Sequence, residues 1–350
     1  KRGYQMVITP HILKKNLWQK SGHYDYYKDN MYFFKIEDQE FAVKPMNCPG
    51  HILIYQSQLR SYRDLPLRLF ELGTVYRHEK SGVLHGLLRV RGFTQDDAHI
   101  FCTPGQLVQE IHQVIEFVID TMKIFGFSEL TIELSTQPKK FIGSQTDWQE
   151  STTALETALK EKELAYTVNS GEGAFYGPKI DIKLKDALGR LWQCATIQCD
   201  FALPERFDLT YTASDGKNYR PIMLHRVILG SLERFIGALI EHYAGAFPLW
   251  LSPVQVLIIP IKEADVVYAQ QVKSKLDQAE LRVTMDTSNE TLQKKIRLGE
   301  IEKTPYILVI GAKEAANNCV AVRKRSVGDQ GQVALEEFIK RIKQEIEEKK

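Results

Sequence analysis

Polar residues recur at every second position along two neighbouring segments, residues 71–79 and 88–99, which we predict to form a hairpin with a long tip. Side chains two residues apart on a strand lie on the same face. This spacing groups Arg77 with Glu79 on the first strand, and Arg89, Gln95, Asp97 and His99 on the second. A bulge at Gly92 would shift this register. An unpaired buried polar group costs about 1–3 kcal/mol, so this face indicates the floor of a polar site; a solvated sheet face is the alternative.

A second segment combines glycine, serine and arginine at the start of a predicted helix. Apolar residues recur at helical spacing between residues 232 and 243, and Gly230, Ser231 and Arg234 fall in the first turn. The free N–H groups of a helix N-terminus, together with a cation, suit a phosphate. The alternative is an ordinary N-cap followed by a surface arginine, and the motif alone is weak.

The elements around these residues fall into two predicted domains, 1–248 and 253–350, because two prolines bracket residues 248–253 after a long amphipathic segment. The first domain is predicted to be α+β, with a largely antiparallel sheet flanked by helices, from long alternating strands at 69–78, 88–101 and 191–201. The second is predicted to be a smaller α/β unit. Its predicted strands are 254–260, 281–285, 306–310 and 319–325, and its predicted helices are 264–279, 291–303 and a terminal helix from 333.

Composition excludes several classes of protein. The 46 Lys+Arg against 44 Asp+Glu exclude a polybasic binder, and 43% hydrophobic residues exclude a disordered tail. No apolar run approaches the ~20 residues of a membrane span, so we expect no membrane partner. Five scattered cysteines without a CxxC pair favour a reducing, cytoplasmic location. Without an initiator Met or a secretory signal at residue 1, we expect a soluble fragment whose natural N-terminus lies upstream.

Several runs together resemble the class II aminoacyl-tRNA synthetases. Arg77-His78-Glu79 is similar to their motif 2, and residues 230–234 are similar to their motif 3. The runs 45–51, 91–99 and 171–179, with His225-Arg226, narrow the resemblance to the threonyl-tRNA synthetase family across essentially the whole chain. The chain departs from the family pattern at two points. It begins at the end of motif 1, and Ala195 and Cys199 stand where the family has Gly and Leu, which we expect to narrow the pocket near Thr196 slightly.

This resemblance implies a threonine–tRNA ligase, which joins L-threonine to ATP as threonyl-adenylate and transfers it to the 3′ end of tRNA(Thr). It also implies one Zn²⁺ per subunit, Mg²⁺ with ATP, and a homodimer. A non-catalytic RNA-binding relative would be expected to lose Arg77, Glu79 or Arg234, and all three are present. Another class II synthetase, such as the prolyl or seryl enzyme, is disfavoured by the zinc residues named below.

The resemblance assigns a role to residues that match the family motifs. The implied zinc ligands are Cys48, His99 and His225, and the implied catalytic residues are Arg77, Arg234, His23 and Lys179. The implied ATP-binding residues are Arg77, Glu79, Arg89, Gln193, Thr196 and Arg234, and the threonine-binding residues are Asp97, Gln95, Tyr176, Gln198 and Arg77. The implied anticodon-binding residues are Asn289, Arg297, Glu314 and Arg323.

Without the family resemblance, several of these residues could have a purely structural role. The spacing of Cys48, His99 and His225 is no metal signature, and each could be an ordinary buried residue. His23 could be a surface turn residue, and the charge runs near Arg297 and Arg323 could be solvated faces. A physical argument supports the metal: threonine and valine are isosteric, and a site that demands the hydroxyl rejects valine far better than an apolar pocket does. Three protein ligands leave open positions for the substrate's amino and hydroxyl groups.

Overall fold

The computed structural model describes residues 2–185 and 189–349. The chain divides into two compact units, Lys1–Leu239 and Ile240–Lys350. Residues 240–248, which we predicted to end the first domain, therefore group with the second unit. The domain limits 1–248 and 253–350 stay a prediction.

The first unit is built from many short strands and a few helices. Its strands are β1 (Gln5–Met6), β2 (Ile12–Lys14), β3 (Tyr32–Ile36), β4 (Gln39–Val43), β5 (Leu67–Tyr76), β6 (Gly92–Cys102), β7 (Leu130–Ser135), β8 (Thr167–Asn169), β9 (Lys179–Lys185), β10 (Leu191–Asp200), β11 (Tyr211–Thr212), β12 (Asn218–Tyr219) and β13 (Ile222–Ser231). Its helices are α1 (Lys15–Lys20), α2 (His23–Tyr27), α3 (Cys48–Gln56), α4 (Leu107–Ile124), α5 (Gln145–Glu161), α6 (Ala202–Arg206) and α7 (Leu232–His242), the last of which runs across the division between the units.

The main sheet has eight strands in the order β1-β5-β6-β13-β10-β9-β7-β8. Its central pairs are antiparallel, and only the edge pairs β1–β5 and β7–β8 are parallel. This confirms the predicted antiparallel α+β fold. Helix α4 buries Ile111, Val114, Ile115 and Val118, which recur at helical spacing, and it packs against β13 and β10.

The strand register gathers polar side chains on one face of this sheet. Directly paired residues on neighbouring strands lie on the same face, and residues two positions along return to it. Two adjacent rows on that face run across β5, β6, β13, β10, β9 and β7: Leu69, His99, His225, Gln198, Lys179 and Ser135 form one row, and Glu71, Asp97, Val227, Thr196, Asp181 and Glu133 form the next. The sheet therefore brings together residues that are distant in sequence.

The predicted hairpin exists, with strand ends that differ from the prediction. The second strand begins at Gly92 rather than at Leu88, so Arg89 lies in the loop, and the first strand ends at Tyr76, before Arg77 and Glu79. The two strands pair in one continuous register up to Gly92, so the register shift considered there is not needed. A shift occurs instead in β13, between Val227 and Ser231.

The second unit is an α/β domain, as predicted. Its strands are β14 (Val256–Pro260), β15 (Val283–Met285), β16 (Tyr306–Ile310), β17 (Cys319–Lys324) and β18 (Gly328–Ala334), and its helices are α8 (Val266–Gln278), α9 (Leu292–Ile301), α10 (Ala312–Ala316) and α11 (Leu335–Glu347). The sheet order is β15-β14-β16-β17-β18, parallel from β15 to β16 and antiparallel beyond. Strand β18 was not predicted, and the terminal helix begins at Leu335 after it.

Among the described residues, none of the helices combines the length and the apolar character needed to cross a membrane.

Candidate active site

A cavity of about 390 Å³ lies over the polar face of the main sheet. This volume falls within the range of about 300–1,000 Å³ that is usual for small-molecule sites. Twelve residues predicted for the site line it: Cys48, Arg77, Gln95, Asp97, His99, Tyr176, Lys179, Gln193, Thr196, Gln198, His225 and Arg234. The solvated sheet face considered as an alternative is therefore wrong for Gln95, Asp97 and His99.

Three of these residues form a cluster of metal-ligating atoms in the wall of the cavity. Cys48 is the first residue of α3, His99 lies on β6 and His225 lies on β13. All three are buried, and their ligand atoms lie within 4.8 Å of one another. Tetrahedral zinc, with Zn–S and Zn–N bonds of about 2.3 and 2.1 Å, holds its donor atoms about 3.4–3.6 Å apart. The three atoms would move closer by about 1 Å to bind one ion, and a thiolate with two imidazoles is a donor set that suits zinc, so the residues present fit zinc.

Each histidine of this cluster has a buried partner behind it. Nε2 of His225 lies 2.8 Å from Oδ2 of Asp200, whose other oxygen accepts from the Leu203 backbone N–H at 2.9 Å. Nδ1 of His99 lies 2.7 Å from Nδ1 of His51. Such partners orient metal-binding histidines in proteins. Neither Asp200 nor His51 was predicted for the site, because a buried carboxylate or imidazole leaves no distinguishing signal in one sequence.

The lining of the cavity also carries cationic side chains. Nε of Arg77 donates to the Pro45 carbonyl at 3.2 Å, and its guanidinium lies 5.1 Å from the centre of the Phe93 ring. Nε of Arg234, in the first turn of α7, donates to the Leu88 carbonyl at 2.9 Å. Burial, followed by repulsion from Arg77 and Arg89, lowers the pKa of Arg234. Arg77 and Arg234 both line the cavity, and clustered guanidinium groups favour an anion.

Two predicted ATP-binding residues, Glu79 and Arg89, are absent from the lining of the cavity. They pair with each other at 2.9 Å, and the Arg89 side chain is 48% exposed. Gly230 and Ser231 were predicted to lie in the first turn of a helix, but they are the last two residues of β13. The helix α7 begins at the next residue, Leu232.

A buried carboxylate that sequence reasoning missed organises the floor of the cavity. Asp181, on β9, accepts hydrogen bonds from Nε2 of Gln193 at 2.6 Å and from Oγ1 of Thr196 at 3.0 Å, and it forms an ion pair with Lys179 at 2.6 Å. Three predicted residues are thus held by one unpredicted aspartate. The signal that could have found it is its position two residues after Lys179 on the same strand face.

The predicted threonine-binding residues surround the metal-ligating cluster. Oδ2 of Asp97 accepts from Nδ2 of Asn47 at 3.0 Å, and Oδ1 lies 3.9 Å from Nε2 of His99. The Tyr176 ring centre lies 5.1 Å from that of His225. Gln198 donates to the Gly177 carbonyl at 3.2 Å.

His23 is fully buried beside the cavity, so the surface turn considered for it is wrong. Its Nδ1 lies 2.7 Å from Oγ of Ser21, and its Nε2 lies 3.0 Å from Sδ of Met46, a residue that lines the cavity. Burial lowers the pKa of His23 to about 3.

The side chains of Ala195 and Cys199 are fully buried and alternate along β10 with Thr196 and Gln198, which line the cavity. Neither Ala195 nor Cys199 lines it. The expected narrowing of the pocket near Thr196 therefore does not arise from contact with these side chains.

The predicted anticodon-binding residues have different surroundings in the second unit. Asn289 and Arg297 are exposed. Glu314 is buried at the start of α10, where it accepts from the Gly311 backbone N–H at 2.9 Å. Arg323 lies 3.6 Å from Glu300 beside a cavity of about 260 Å³.

Comparison with known proteins gives two family matches. The model of the class II tRNA synthetase core domain (G, H, P, S and T) matches residues 32–243, and that of an anticodon binding domain matches residues 255–345. The threonine–tRNA ligase of Syntrophotalea carbinolica is 59% identical over 348 residues, which are 99% of this chain and 54% of that protein. The threonine–tRNA ligase of Acetivibrio thermocellus is 57% identical over 349 residues, which are 100% of this chain and 55% of that protein. The chain thus spans about half the length of the curated relatives it matches.

Solved structures resemble the fold closely. The RNA binding domain of threonyl-tRNA synthetase from Cryptosporidium parvum has a TM-score of 0.95 and 43% identity, with 98% of this chain and 86% of that chain covered. The prolyl-tRNA synthetase from Cryptosporidium parvum, at 18% identity and a TM-score of 0.71 over 99% of this chain and 65% of that chain, shares the fold alone.

Proposed function

This chain belongs to the threonyl-tRNA synthetases, a family of class II aminoacyl-tRNA synthetases, and we propose that it acts as a threonine–tRNA ligase. One observation carries the proposal: a cavity of suitable size is lined by a Cys–His–His cluster and by arginines that include Arg77 and Arg234. A small amino acid would bind at the cluster, and the phosphates of ATP would bind at Arg77 and Arg234.

The first step is formation of threonyl-adenylate. A carboxylate oxygen of threonine attacks the α-phosphorus of ATP, the bond to the β-phosphate breaks, and pyrophosphate leaves. The protein's contribution is to hold the two anions together and to neutralise charge on phosphorus. Arg77 and Arg234 suit this task because each guanidinium is anchored through Nε and keeps its charge. We propose that Mg²⁺ accompanies ATP, and that Gln193 and Thr196, both held by Asp181, bind the nucleoside.

The second feature of the proposal is selection of threonine. Cys48, His99 and His225 would hold Zn²⁺, which when bound supplies open positions for the amino and hydroxyl groups of the substrate. Asp97 accepts a hydrogen bond from the hydroxyl, and the Tyr176 ring packs on the methyl group. Valine offers no hydroxyl, so the buried polar groups of the site stay unpaired and valine is rejected.

Transfer to tRNA(Thr) would use both units of the chain. We propose that His23, which contacts Met46, acts beside the terminal adenosine of the tRNA. We also propose that the ion pair between Glu79 and Arg89 opens so that both side chains contact ATP. In the second unit, Asn289, Arg297, Glu314 and Arg323 would read the anticodon, as single-stranded bases are read by edge hydrogen bonds and stacking.

The proposal includes a homodimer in the cytoplasm. Met6, Ile8 and Leu72 are 65%, 81% and 50% exposed. Met6 and Leu72 lie on the same face of the edge pair β1–β5, and Ile8 follows β1 two residues after Met6. Together these side chains form an apolar surface suited to a second copy.

All five cysteines are free and buried, which is consistent with a reducing compartment.

Pyrophosphate exchange tests the activity. The chain should catalyse threonine-dependent exchange with ATP and should discriminate strongly against valine; no exchange with threonine, or equal exchange with both amino acids, would refute the proposal.

Metal analysis tests the zinc site. Cys48→Ala should lose zinc, whereas Cys102→Ala, which removes another buried free cysteine from the same unit, should retain it. Equal zinc content in both variants would refute the assignment of Cys48.

A further inference from the structure

We propose that Asp96 is a positioning residue for Arg234. Its side chain holds an irregular segment of β13, residues 228–230, and this segment sets where the first turn of α7 lies beside the cavity. The inference rests on the proposed role of Arg234 in binding the phosphates of ATP.

Residues 228–230 form an excursion of β13 away from regular pairing with β6. Val227 pairs with Asp97, and Ser231 pairs with Gln95. Four steps along β13 therefore correspond to two steps along β6, so the three residues of the excursion lie opposite one residue of the partner strand. Irregular pairs of this kind often lie next to active sites, where they change the direction of a side chain.

The excursion decides where Arg234 lies. Continued regular pairing would place residue 229, rather than Ser231, opposite Gln95. Two residues at about 3.4 Å each would then carry the start of α7 about 7 Å further along β6. The presence of Arg234 in the lining of the cavity therefore depends on the excursion.

The carboxylate of Asp96, opposite the excursion on β6, accepts hydrogen bonds from all three of its backbone N–H groups. Oδ2 accepts from Ile228 at 2.9 Å, and Oδ1 accepts from Leu229 and Gly230, each at 3.0 Å. Asp96 is 7% exposed. Burial raises the pKa of Asp96 to about 6, so the carboxylate form predominates at neutral pH. An unpaired buried polar group costs about 1–3 kcal/mol, so the carboxylate stabilises the excursion.

The other side of the excursion contacts β10. The thiol of Cys194 donates to the Ile228 carbonyl at 3.3 Å and lies 3.5 Å from the Leu229 carbonyl oxygen. Gly230 has a φ of +74°, and a Cβ added there would meet the Cys194 carbonyl oxygen at 2.6 Å. The excursion is therefore held between Asp96 on β6 and Cys194 on β10.

A second carboxylate ties the start of α7 to β6. Both oxygens of Glu233 accept from the Thr94 backbone N–H at 3.0 Å, and Oε2 also accepts from Oγ of Ser231 at 3.0 Å. Oγ of Ser231 in turn accepts from the backbone N–H of Arg234 at 3.2 Å. The contacts of Asp96 and Glu233 together fix the backbone of Arg234 relative to β6.

Replacement of Asp96 by asparagine should affect ATP more than threonine. Asparagine has a similar shape but only one acceptor oxygen, so its Nδ2 would face an N–H donor of the excursion. A displacement of about 1 Å at a site can cost about 10²-fold in rate. In threonine-dependent pyrophosphate exchange, Asp96→Asn should therefore lower kcat/KM for ATP about 10²-fold and leave the KM for threonine and the zinc content unchanged.

Glu110→Gln is the matched control for loss of a buried carboxylate. Glu110, on α4, is 3% exposed and pairs with Arg68 at 2.6 Å, and neither residue lines the cavity. This variant should leave kcat/KM for ATP unchanged. An unchanged kcat/KM for ATP in Asp96→Asn, a loss of its zinc, or an equal loss of kcat/KM in the two variants would overturn the inference.

A double-mutant cycle tests whether Asp96 acts through Arg234. If it does, removal of the arginine already includes the effect of Asp96, so Asp96→Asn should lower kcat/KM for ATP little further in an Arg234→Ala background. A purely structural role for Asp96 would give losses that multiply. Losses that multiply would therefore overturn the inference.

Gly230→Ala provides a second variant if Asp96→Asn does not fold. Its added methyl group would press on the Cys194 carbonyl and displace the excursion, while Asp96 stays intact. We expect the same loss of kcat/KM for ATP with zinc retained, and an unchanged kcat/KM would count against the inference.

The crystal structure of either variant separates this inference from the proposed function. Nε of Arg234 should no longer lie 2.9 Å from the Leu88 carbonyl oxygen, and an unchanged position of Arg234 would overturn the inference. If the unsubstituted chain catalyses no threonine-dependent exchange, the proposed function fails. The position of Arg234 in the variant then still decides whether Asp96 holds it.

Discussion

Replacement of Lys44 by methionine should destabilise the first unit strongly at neutral pH and much less in acid. Lys44 contributes a cationic side chain to the groups that hydrogen-bond Glu71, alongside His51 and Thr9. Methionine is similar in length and apolar, so Lys44→Met removes the charge without leaving a large cavity. The Glu71 carboxylate then stays buried without its counter-ion.

The pKa of Glu71 sets the magnitude. Burial alone would raise this pKa, but hydrogen bonds from His51, Lys44 and Thr9 outweigh it and lower the pKa from 4.5 to about 2. That difference corresponds to about 3 kcal/mol of stability, to which His51, Lys44 and Thr9 all contribute. Because the folded pKa is the lower one, this stability is present above pH 4.5 and is lost as the pH falls towards 2. Loss of one partner from a buried pair costs about 3–5 kcal/mol, which agrees with this figure.

Hydrogen–deuterium exchange of β5 peptides is a suitable assay, since it reports on local opening of this sheet. At neutral pH, about 3 kcal/mol corresponds to roughly 100-fold faster exchange in Lys44→Met than in the unsubstituted chain. The ratio should shrink towards one as the pH falls from 4.5 to 2, because Glu71 becomes protonated in both proteins. Lys160→Met is the matched control: it removes an exposed partner of Glu156 on α5 and should change β5 exchange little. A ratio that is small at neutral pH, or that does not change in acid, would refute the reasoning.

Three further predictions concern function. Arg77→Lys should lower the rate of threonine-dependent pyrophosphate exchange about 10²–10³-fold. A lysine has no guanidinium group that could be anchored at the Pro45 carbonyl while it binds the substrate. An exchange rate equal to that of the unsubstituted chain would contradict the assigned role. Asp97→Asn should raise the KM for threonine more than that for ATP, and equal changes in both would argue against a contact with the hydroxyl. Arg323→Ala should weaken aminoacylation of tRNA while leaving adenylate formation unchanged, and equal loss in the two assays would show that the second unit has been misread.

The fold was predictable where side-chain patterns have clear ends. Tyr306–Ile310 is a continuous apolar run between Pro305 and Gly311, and it is the strand that was predicted. Strand β18 was missed because its first five residues, 328–332, are glycine or polar, and its pairing with β17 depends on backbone hydrogen bonds rather than on an apolar face. Residues 88–91 were assigned to a strand because the polar alternation continues into the loop.

The site was predictable only in part. Alternation placed Gln95, Asp97 and His99 on one face, but no spacing could join His99 to Cys48 and His225; the family resemblance suggested that group, and strand register brings it together. Asp200 and Glu71 could not be identified, because a carboxylate in a single sequence carries no mark of burial, and Asp181 could be found only by its position two residues after Lys179. Their importance follows from the hydrogen bonds they accept in the folded chain.

Because the site is built from two rows of paired residues, it forms only when the central strands pair in the correct register. A slip of one residue in β6 would turn His99 and Asp97 to the opposite face and bring Ala98 to the cavity, while leaving an apolar sheet of similar composition. A chain with that error would keep its helices and its hydrogen-bonded strands, yet would lack the cluster. In a preparation of this protein, the fraction of molecules that bind the proposed zinc ion would therefore measure how many have paired their central strands correctly.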